Sequence, residues 1–303
     1  MSYEISSLNP MNMLRSLLFV PGDSEKKLSK SISTSADALI LDLEDSVAAE
    51  RTSIARGMVA EFLKAHSVRT QQQLWVRINP LQTPEALADL VAVMAGKPDG
   101  IMLPKPLNAQ YNQQLDHYLS ALETREGLTL GSTRIIPVAT EVPGAVFDLP
   151  SYAGASPRLL GLTWGAEDLA TAIGATSNKD ESGEFSFTYK LVRSLCLLAS
   201  AHAQIQAIDT LSVDFKNLQA LALDVQGARK EGFTGKLAIH PDQVDVINQG
   251  FTPSAQEIEN AKSIIDAFAK ASGAGAVQID GKMVDKPHLT QALRLIDLFS
   301  RKK

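Results

Sequence analysis

The sequence predicts an α/β fold, a (β/α)8 TIM barrel with a C-terminal helical extension. Eight short apolar runs, several of them rich in β-branched residues, alternate with segments of helical patterning along the 303 residues. Several of these runs end in a polar residue suited to chemistry. In parallel α/β folds the site lies beyond the carboxyl ends of the strands, so such residues converge there. A doubly wound open sheet is the structural alternative.

The predicted strands follow one another at the spacing of β/α units. They span residues 14–20, 38–43, 74–78, 100–103, 134–139, 159–164, 204–208 and 236–239. Helical segments are predicted at 84–94 after a Thr83 cap, at 189–203, and at 215–230 after Asp214. We expect residues 1–250 to form the catalytic barrel and residues 251–303 to form a helical extension or lid, which could pack on a neighbouring subunit.

Composition indicates an enzyme-sized domain with a full core. The chain is 45% hydrophobic, and 29 Lys and Arg against 34 Asp and Glu give a net charge of −5. The basic residues are dispersed, so we expect no nucleic-acid partner and no membrane partner. Residues 1–12 lack a basic region followed by an apolar stretch, which predicts a cytoplasmic location. Cys196 is the only cysteine, and its apolar neighbours indicate a buried, inert thiol.

Two carboxylates at strand ends predict a metal site. Glu141 follows the fifth run and Asp168 follows the sixth, so both belong to neighbouring strands. Oxygen ligands that leave room for water and a chelating substrate favour Mg²⁺, with Mn²⁺ as an alternative. For either residue alone, a helix cap or a solvated side chain explains the pattern about as well.

A buried cation is predicted near the same edge. Arg77 follows an apolar run, and a guanidinium there requires a carboxylate or an anionic ligand. Asp42, Glu44 and Asp45 at the end of the second run could pair with it, and Asp42 or Glu44 could instead hold metal-bound water.

Two glycine-containing loops are weak phosphate-site candidates. Residues 20–24 lead into a helix that carries Lys26, and residues 232–236 enter the last strand. Neither loop matches a P-loop or dinucleotide fingerprint. His240, before Pro241, is more typical of a structural histidine than of an acid or base.

Five motifs follow one another along the chain: RSLLFVPG (15–22), LDLEDSV (41–47), VRIN (76–79), GAEDL (165–169) and GKLAIHP (235–241). In this order they resemble the citrate lyase β-subunit-like family, within the HpcH/HpaI aldolase and malyl-CoA lyase superfamily. The resemblance implies a Mg²⁺-dependent barrel that cleaves or forms a carbon-carbon bond between a 2-oxo acid and an acyl-CoA. It also implies a homo-oligomer, commonly a trimer or hexamer.

The resemblance assigns roles residue by residue. Glu141 and Asp168 would be the Mg²⁺ ligands, Arg77 the cation beside the reacting carbonyl, and Asp42 and Glu44 its supports or holders of metal-bound water. Asp285, in GKMVDKP (281–287), resembles the family's proton carrier on a C-terminal segment that reaches a neighbouring active site. A helix N-cap explains the same residue equally well. The CoA thioester would be lined by Phe19, Gly22, Lys26, Ile239, His240 and Pro241.

One motif departs from the family pattern, because the residues around Glu141 read ATEVP where the family is closer to Ile-Glu-Thr. The ligand is retained but its neighbours differ, so the identity of the acid is open. A 3-hydroxyacyl-CoA such as malyl-, citramalyl- or citryl-CoA is the expected substrate. A malyl-CoA-type thioesterase, a CoA-independent class II 2-oxo acid aldolase and a subunit of a citrate lyase complex are the alternatives.

Overall fold

Eight parallel strands form the central sheet in the part of the chain that the structure, a computed structural model, describes: residues 13–69, 71–271 and 273–300. The strands are β1 Ser16–Pro21, β2 Ala38–Asp42, β3 Gln73–Arg77, β4 Gly100–Leu103, β5 Arg134–Pro137, β6 Gly161–Thr163, β7 Gln206–Asp209 and β8 Gly235–Ala238. Their order across the sheet is β5-β4-β3-β2-β1-β8-β7-β6.

The sheet closes into a barrel between β5 and β6. The two outer strands meet through two isolated parallel bridges, Ile135 with Leu159 and Val138 with Thr163, and not through a continuous ladder. Backbone N–H groups complete this seam: Ile135 donates to Arg158 at 2.9 Å, and Ala139 donates to Thr163 at 2.8 Å. The predicted barrel is therefore confirmed, and the open-sheet alternative is not the observed arrangement.

Helices follow the strands and cover the outside of the barrel. They are α1 Glu25–Ser31, α2 Thr52–Ala65, α3 Glu85–Val93, α4 Ala109–Glu126, α5 Pro143–Val146, α6 Ala166–Ala172, α7 Phe187–His202, α8 Leu218–Glu231 and α9 Pro241–Phe251. Short 3-10 turns at Ala49–Arg51, Met94–Gly96 and Leu149–Tyr152 connect some of them.

Alternate residues of each strand serve two separate cores, as the period of a strand requires. In β1, Leu17 belongs to the cluster inside the barrel, and Phe19 packs against that cluster. Leu18 and Val20 belong to the larger cluster between the strands and the helices. Because both faces of each strand are buried, the strands read as continuous apolar runs, which is the pattern that predicted them.

All eight predicted strands are present, with ends that differ by one or two residues in most cases. The largest change is β6, which is three residues long where six were predicted. The three predicted helices correspond to α3, α7 and α8. Asn217, not Asp214, caps α8: its side chain accepts a hydrogen bond from the N–H of Ala220 at 3.0 Å.

The chain divides into two compact units, Leu14–Phe251, which holds the barrel, and the segment from Thr252 onward. The second unit contains α10 Ala255–Lys270, β9 Ala276–Ile279, β10 Lys282–Asp285 and α11 Lys286–Ser300. A capping box between Ser254 and Glu257 starts α10, and α10 packs on α11. The extension is helical as predicted, and it also carries an antiparallel hairpin that the helical prediction omitted.

Among the helices of the described residues, none is both long enough and apolar enough to cross a bilayer.

Candidate active site

An arginine and two carboxylates meet where β2 and β3 end. Asp42 and Arg77 occupy paired positions in the parallel ladder. The guanidinium binds the Asp42 carboxylate with both ends of its fork, from Nε to Oδ1 at 2.7 Å and from Nη2 to Oδ2 at 2.6 Å. Its Nη1 lies 2.9 Å from Oε2 of Glu44. The predicted association of these three residues is thus what the structure shows.

The charges in this cluster shift its pKa values in opposite directions. Burial alone would raise the pKa of Asp42, but the hydrogen bonds and charge of Arg77 outweigh it and hold the pKa below its ordinary value. Burial raises the pKa of Glu44, and the charge of Arg77 offsets only part of that effect. Arg77 lies under the ring of Phe19, with its guanidinium carbon 4.7 Å from the ring centre.

A lysine that sequence reasoning did not single out links the cluster to the predicted metal ligands. The Lys105 ammonium forms ion pairs with Glu44 and with Asp45, the latter at 2.9 Å. It also lies 3.3 Å from Oδ1 of Asp168. The backbone N–H of Lys105 donates to Oε2 of Glu141 at 2.6 Å. One residue therefore contacts both predicted metal ligands.

Glu141 is a buried carboxyl beside another acid. It is 4% exposed, whereas the side chain of Asp168 is 34% exposed. Burial is the main cause that raises the pKa of Glu141 to about 8, and the negative charge of Asp168 adds to it. A buried carboxyl with a second acid beside it is a place where a bound cation would be favourable.

The donors present fit a hard divalent cation. Glu141 and Asp168 supply oxygen atoms only, and the raised pKa of Glu141 shows that its negative charge is incompletely compensated by the protein. Among the described residues, no group of three or more His, Cys, Asp and Glu side chains is arranged to hold a metal. Glu141 and Asp168, completed by water and substrate, would fit Mg²⁺.

The loop after β1 packs against β2. The N–H of Gly22 donates to the carbonyl oxygen of Asp42 at 2.9 Å, and a Cβ at position 22 would lie 2.6 Å from that oxygen. Glycine is required by this close approach. Lys26 lies exposed on α1. The roles of Phe19, Gly22 and Lys26 in binding CoA stay predictions.

The loop after β8 is held by Gln243 of α9. Its side-chain oxygen accepts from the N–H groups of Ile239 at 2.9 Å and His240 at 3.2 Å. The His240 ring stacks on Phe215 at 4.6 Å, and Pro241 begins α9. Any CoA contact made here would have to use side chains and carbonyl groups, because these two N–H groups are taken. The predicted CoA role of the three loop residues is untested.

Asp285 ends β10 in the second unit. Its Oδ1 lies 2.5 Å from Nδ1 of His288, one turn into α11. This contact orients the carboxyl within its own unit, and the predicted role of Asp285 as a proton carrier is untested.

A cleft of about 680 Å³ opens beside the charged cluster. Loops that follow β2, β3 and β4 form its wall, together with the start of α2 and α3. Its polar lining includes Glu44, Asp45, Arg56, Asn79 and Lys105. The cleft has room for a small polar molecule beside Glu44, Asp45 and Lys105.

The structure places an Arg, a Lys and several carboxylates at the carboxyl ends of the strands of a parallel barrel, which is where barrel enzymes carry their active sites. The comparisons specify the class of enzyme. The HpcH/HpaI aldolase/citrate lyase family matches residues 15–241, and the chain belongs to this family. Membership identifies the chain as a lyase, as the motifs predicted.

Three similar proteins show the range of the family. The chain is 34% identical to the citrate lyase subunit beta of Haemophilus influenzae over 289 residues, covering 95% of this chain and 97% of the other. It is 33% identical to the mitochondrial citramalyl-CoA lyase of Rattus norvegicus, covering 94% and 85%. The structure of the protein CitE from Mycobacterium tuberculosis in complex with magnesium, acetoacetate and coenzyme A has a TM-score of 0.76 at 27% identity, covering 96% and 98%.

Proposed function

We propose that the chain is a Mg²⁺-dependent carbon-carbon lyase. It would cleave a 3-hydroxyacyl-CoA such as malyl-, citramalyl- or citryl-CoA into a 2-oxo acid and an acyl-CoA, or join the two by Claisen condensation. The observation that carries the proposal is the meeting of Glu141 and Asp168 around Lys105, next to the Arg77 cluster. The magnesium, acetoacetate and coenzyme A in the CitE complex support the choice of metal and substrate class.

Glu141 and Asp168 would hold the metal. When bound, Mg²⁺ supplies Lewis-acid chemistry to the hydroxyl and carboxylate oxygens of the substrate. Both ligands must be ionised to serve, and burial makes the ionisation of Glu141 costly. Mn²⁺ has the same preference for oxygen donors and is the alternative metal.

Arg77 would stabilise the negative charge that develops on the thioester oxygen as the carbon-carbon bond breaks. Two of its five N–H groups donate to the Asp42 carboxylate and Glu44 forms an ion pair with the guanidinium, so a ligand has donors left to meet. Asp42, which stays ionised, prevents the guanidinium from reorienting. Such preorganisation is what makes a buried cation effective in catalysis.

The proton balance assigns the remaining step. The substrate hydroxyl loses its proton to water as its oxygen becomes the carbonyl oxygen of the 2-oxo acid. The electron pair of the broken carbon-carbon bond passes into the enolate of the acyl-CoA, and the α-carbon of that enolate must gain one proton. Asp285 is the proposed donor, carried by a C-terminal lid that acts on a neighbouring subunit. This part of the proposal includes a homotrimer or hexamer and rests on the resemblance of residues 281–287 to the family motif. The proposed cytoplasmic location rests instead on the polar composition of residues 1–12.

The test is a coupled assay of the purified chain with Mg²⁺ on malyl-, citramalyl-, methylmalyl- and citryl-CoA. Release of 2-oxo acid and of free thiol is followed separately. We expect oxo acid without free thiol, and we expect Glu141→Gln and Asp168→Asn each to lower the rate on the order of a hundredfold or more. Glu61→Gln on the surface of α2 is the matched control and should keep full activity.

Other outcomes point to other activities. Free thiol without oxo acid would identify a thioesterase. Cleavage of free 2-oxo acid aldols without CoA would identify a CoA-independent aldolase. No activity on any of these substrates would favour a subunit that is active only within a larger complex.

A further inference from the structure

Lys105 is held in a conformation that directs both its backbone and its side chain at the carboxylates. It has φ of +50°, in the left-handed region that lysine rarely adopts. Residues kept in this region cost free energy and persist where the surroundings hold them. Here the backbone N–H is held by Glu141 and the ammonium by three other acids.

The ammonium lies among the acids that a metal would also contact. It contacts Asp168 at 3.3 Å while it pairs with Glu44 and Asp45. Three carboxylates therefore hold the ammonium in one place, and one of them is a predicted metal ligand.

We propose that Lys105 is a built-in counter-cation that competes with the divalent metal for Asp168. In the metal-free protein the ammonium neutralises part of the acidic cluster and keeps it folded. Metal binding moves Asp168 from the ammonium to the ion, while Lys105 stays on Glu44 and Asp45. The inference rests on the proposed function, because it takes Glu141 and Asp168 as the metal ligands.

Competition has a signature that a purely structural lysine lacks. Removing a supporting residue would weaken metal binding or leave it unchanged. Removing a competing positive charge within a few ångströms strengthens the attraction between the carboxylates and a divalent ion. The sign of the change in affinity therefore decides between the two roles.

The experiment is calorimetric titration of the metal-free full chain with MgCl₂, at fixed pH and ionic strength, without substrate. We expect Lys105→Met and Lys105→Gln to bind Mg²⁺ about tenfold more tightly than the unaltered chain. Lys105→Arg keeps the charge and should bind within about twofold of the unaltered chain. Lys64→Met, which removes an exposed lysine paired with Glu61, is the matched control and should not change the affinity.

Thermal unfolding gives a second readout. In EDTA both neutral variants should melt at a lower temperature than the unaltered chain, and saturating Mg²⁺ should close most of that gap. Affinity that is unchanged or weaker in both neutral variants overturns the inference and leaves the proposed function standing. Absence of Mg²⁺ binding to the unaltered chain and to every variant overturns both.

Discussion

Gly165 is placed so that only a hydrogen atom fits between its backbone and Glu141. A Cβ at position 165 would lie 2.7 Å from Cγ of Glu141 and 3.3 Å from Cγ1 of Val138. The backbone angle is an ordinary one, with φ of −115°, so the demand for glycine is one of space and not of conformation. The carboxyl that we assign to the metal is thus positioned partly by the absence of a side chain.

The substitution Gly165→Ala should displace the Glu141 carboxyl. Because the seam around Val138 is packed, we expect the new methyl group to cost about 1–3 kcal/mol of folding stability and to weaken Mg²⁺ binding about tenfold or more. Calorimetric titration with MgCl₂ and thermal unfolding measure the two effects.

Gly227 offers a matched control. It lies in α8, and a Cβ there would meet no atom within 4 Å. Gly227→Ala should leave Mg²⁺ affinity unchanged and should raise the stability slightly, since alanine is the better helix former. Equal behaviour of the two alanine variants would show that Gly165 does not position Glu141.

Individual site residues were predictable where an apolar run passes directly into them. That pattern identified Asp42, Glu44 and Arg77, which the structure brings together. Lys105 also follows a strand, β4, but Pro104 separates the apolar run from the lysine, and the pattern did not identify Lys105 as a site residue. Contacts such as those of Gly22 and Gln243 depend on packing between distant segments, which no local pattern encodes.

The loops that follow β2 and β3 are tied together by one carboxylate on α3. Asp89 is fully buried and accepts hydrogen bonds from the backbone N–H of Asn79 at 2.9 Å, from its Nδ2 at 2.8 Å, and from Nε of Arg56 at 2.8 Å. Nδ2 of Asn79 also donates to the carbonyl of Leu43 at 3.0 Å. Asp89 therefore connects the loops that follow β2 and β3 to helices α2 and α3.

Replacing Asp89 by Asn should loosen this anchor. The amide cannot accept from three donors, and Arg56 would lose the charge that pairs with it. We expect a loss of about 2–4 kcal/mol in the free energy of unfolding, measured by urea denaturation.

Glu61→Gln is the comparison for that measurement. Glu61 also pairs with a cation, Lys64, but on the exposed surface of α2, and its loss should change the free energy by no more than about 0.5 kcal/mol. A similarly small effect at Asp89 would contradict its role as an anchor.

Strands were predictable because each is buried on both faces and reads as an uninterrupted apolar run. The ends of the strands were less predictable, because the last hydrogen bonds of a barrel strand depend on the adjacent strands. The hairpin of β9 and β10 was missed although its turn carries a strong signal. Asp280 and Gly281 both have positive φ, at 50° and 78°, and an Asp-Gly pair favours such two-residue turns.

The barrel is also braced at the end opposite the charged cluster. Arg158 precedes β6 and is 2% exposed. It binds both carboxylate oxygens of Glu123 at 2.7 Å and Oδ1 of Asp116 at 2.5 Å, both on α4, and it donates to the carbonyl of Thr133 before β5 at 3.1 Å. This network connects the two strands that close the barrel.

The variant Arg158→Met should destabilise the whole barrel while sparing the chemistry. Removing the guanidinium leaves Glu123, a fully buried carboxylate, without its cation, and we expect a cost of about 3–5 kcal/mol in urea denaturation. Activity per folded molecule should stay near its original value, because the network lies away from the carboxyl ends of the strands.

Arg125→Met provides the reference on the same helix. Arg125 is 43% exposed and pairs with the neighbouring Glu126, so we expect little change in stability. If the two methionine variants unfold at the same urea concentration, Arg158 does not brace the seam.

The position of the seam gives the proposed metal a mechanical role. Glu141 comes after β5 and Asp168 comes after β6, and these are the strands that meet only through isolated bridges. A metal ion held by both carboxylates would connect the two sides of the seam. It would favour the closed barrel over conformations in which β5 and β6 have separated. Amide hydrogens at the seam, such as those of Ile135 and Ala139, should then exchange with solvent more slowly when the metal is bound.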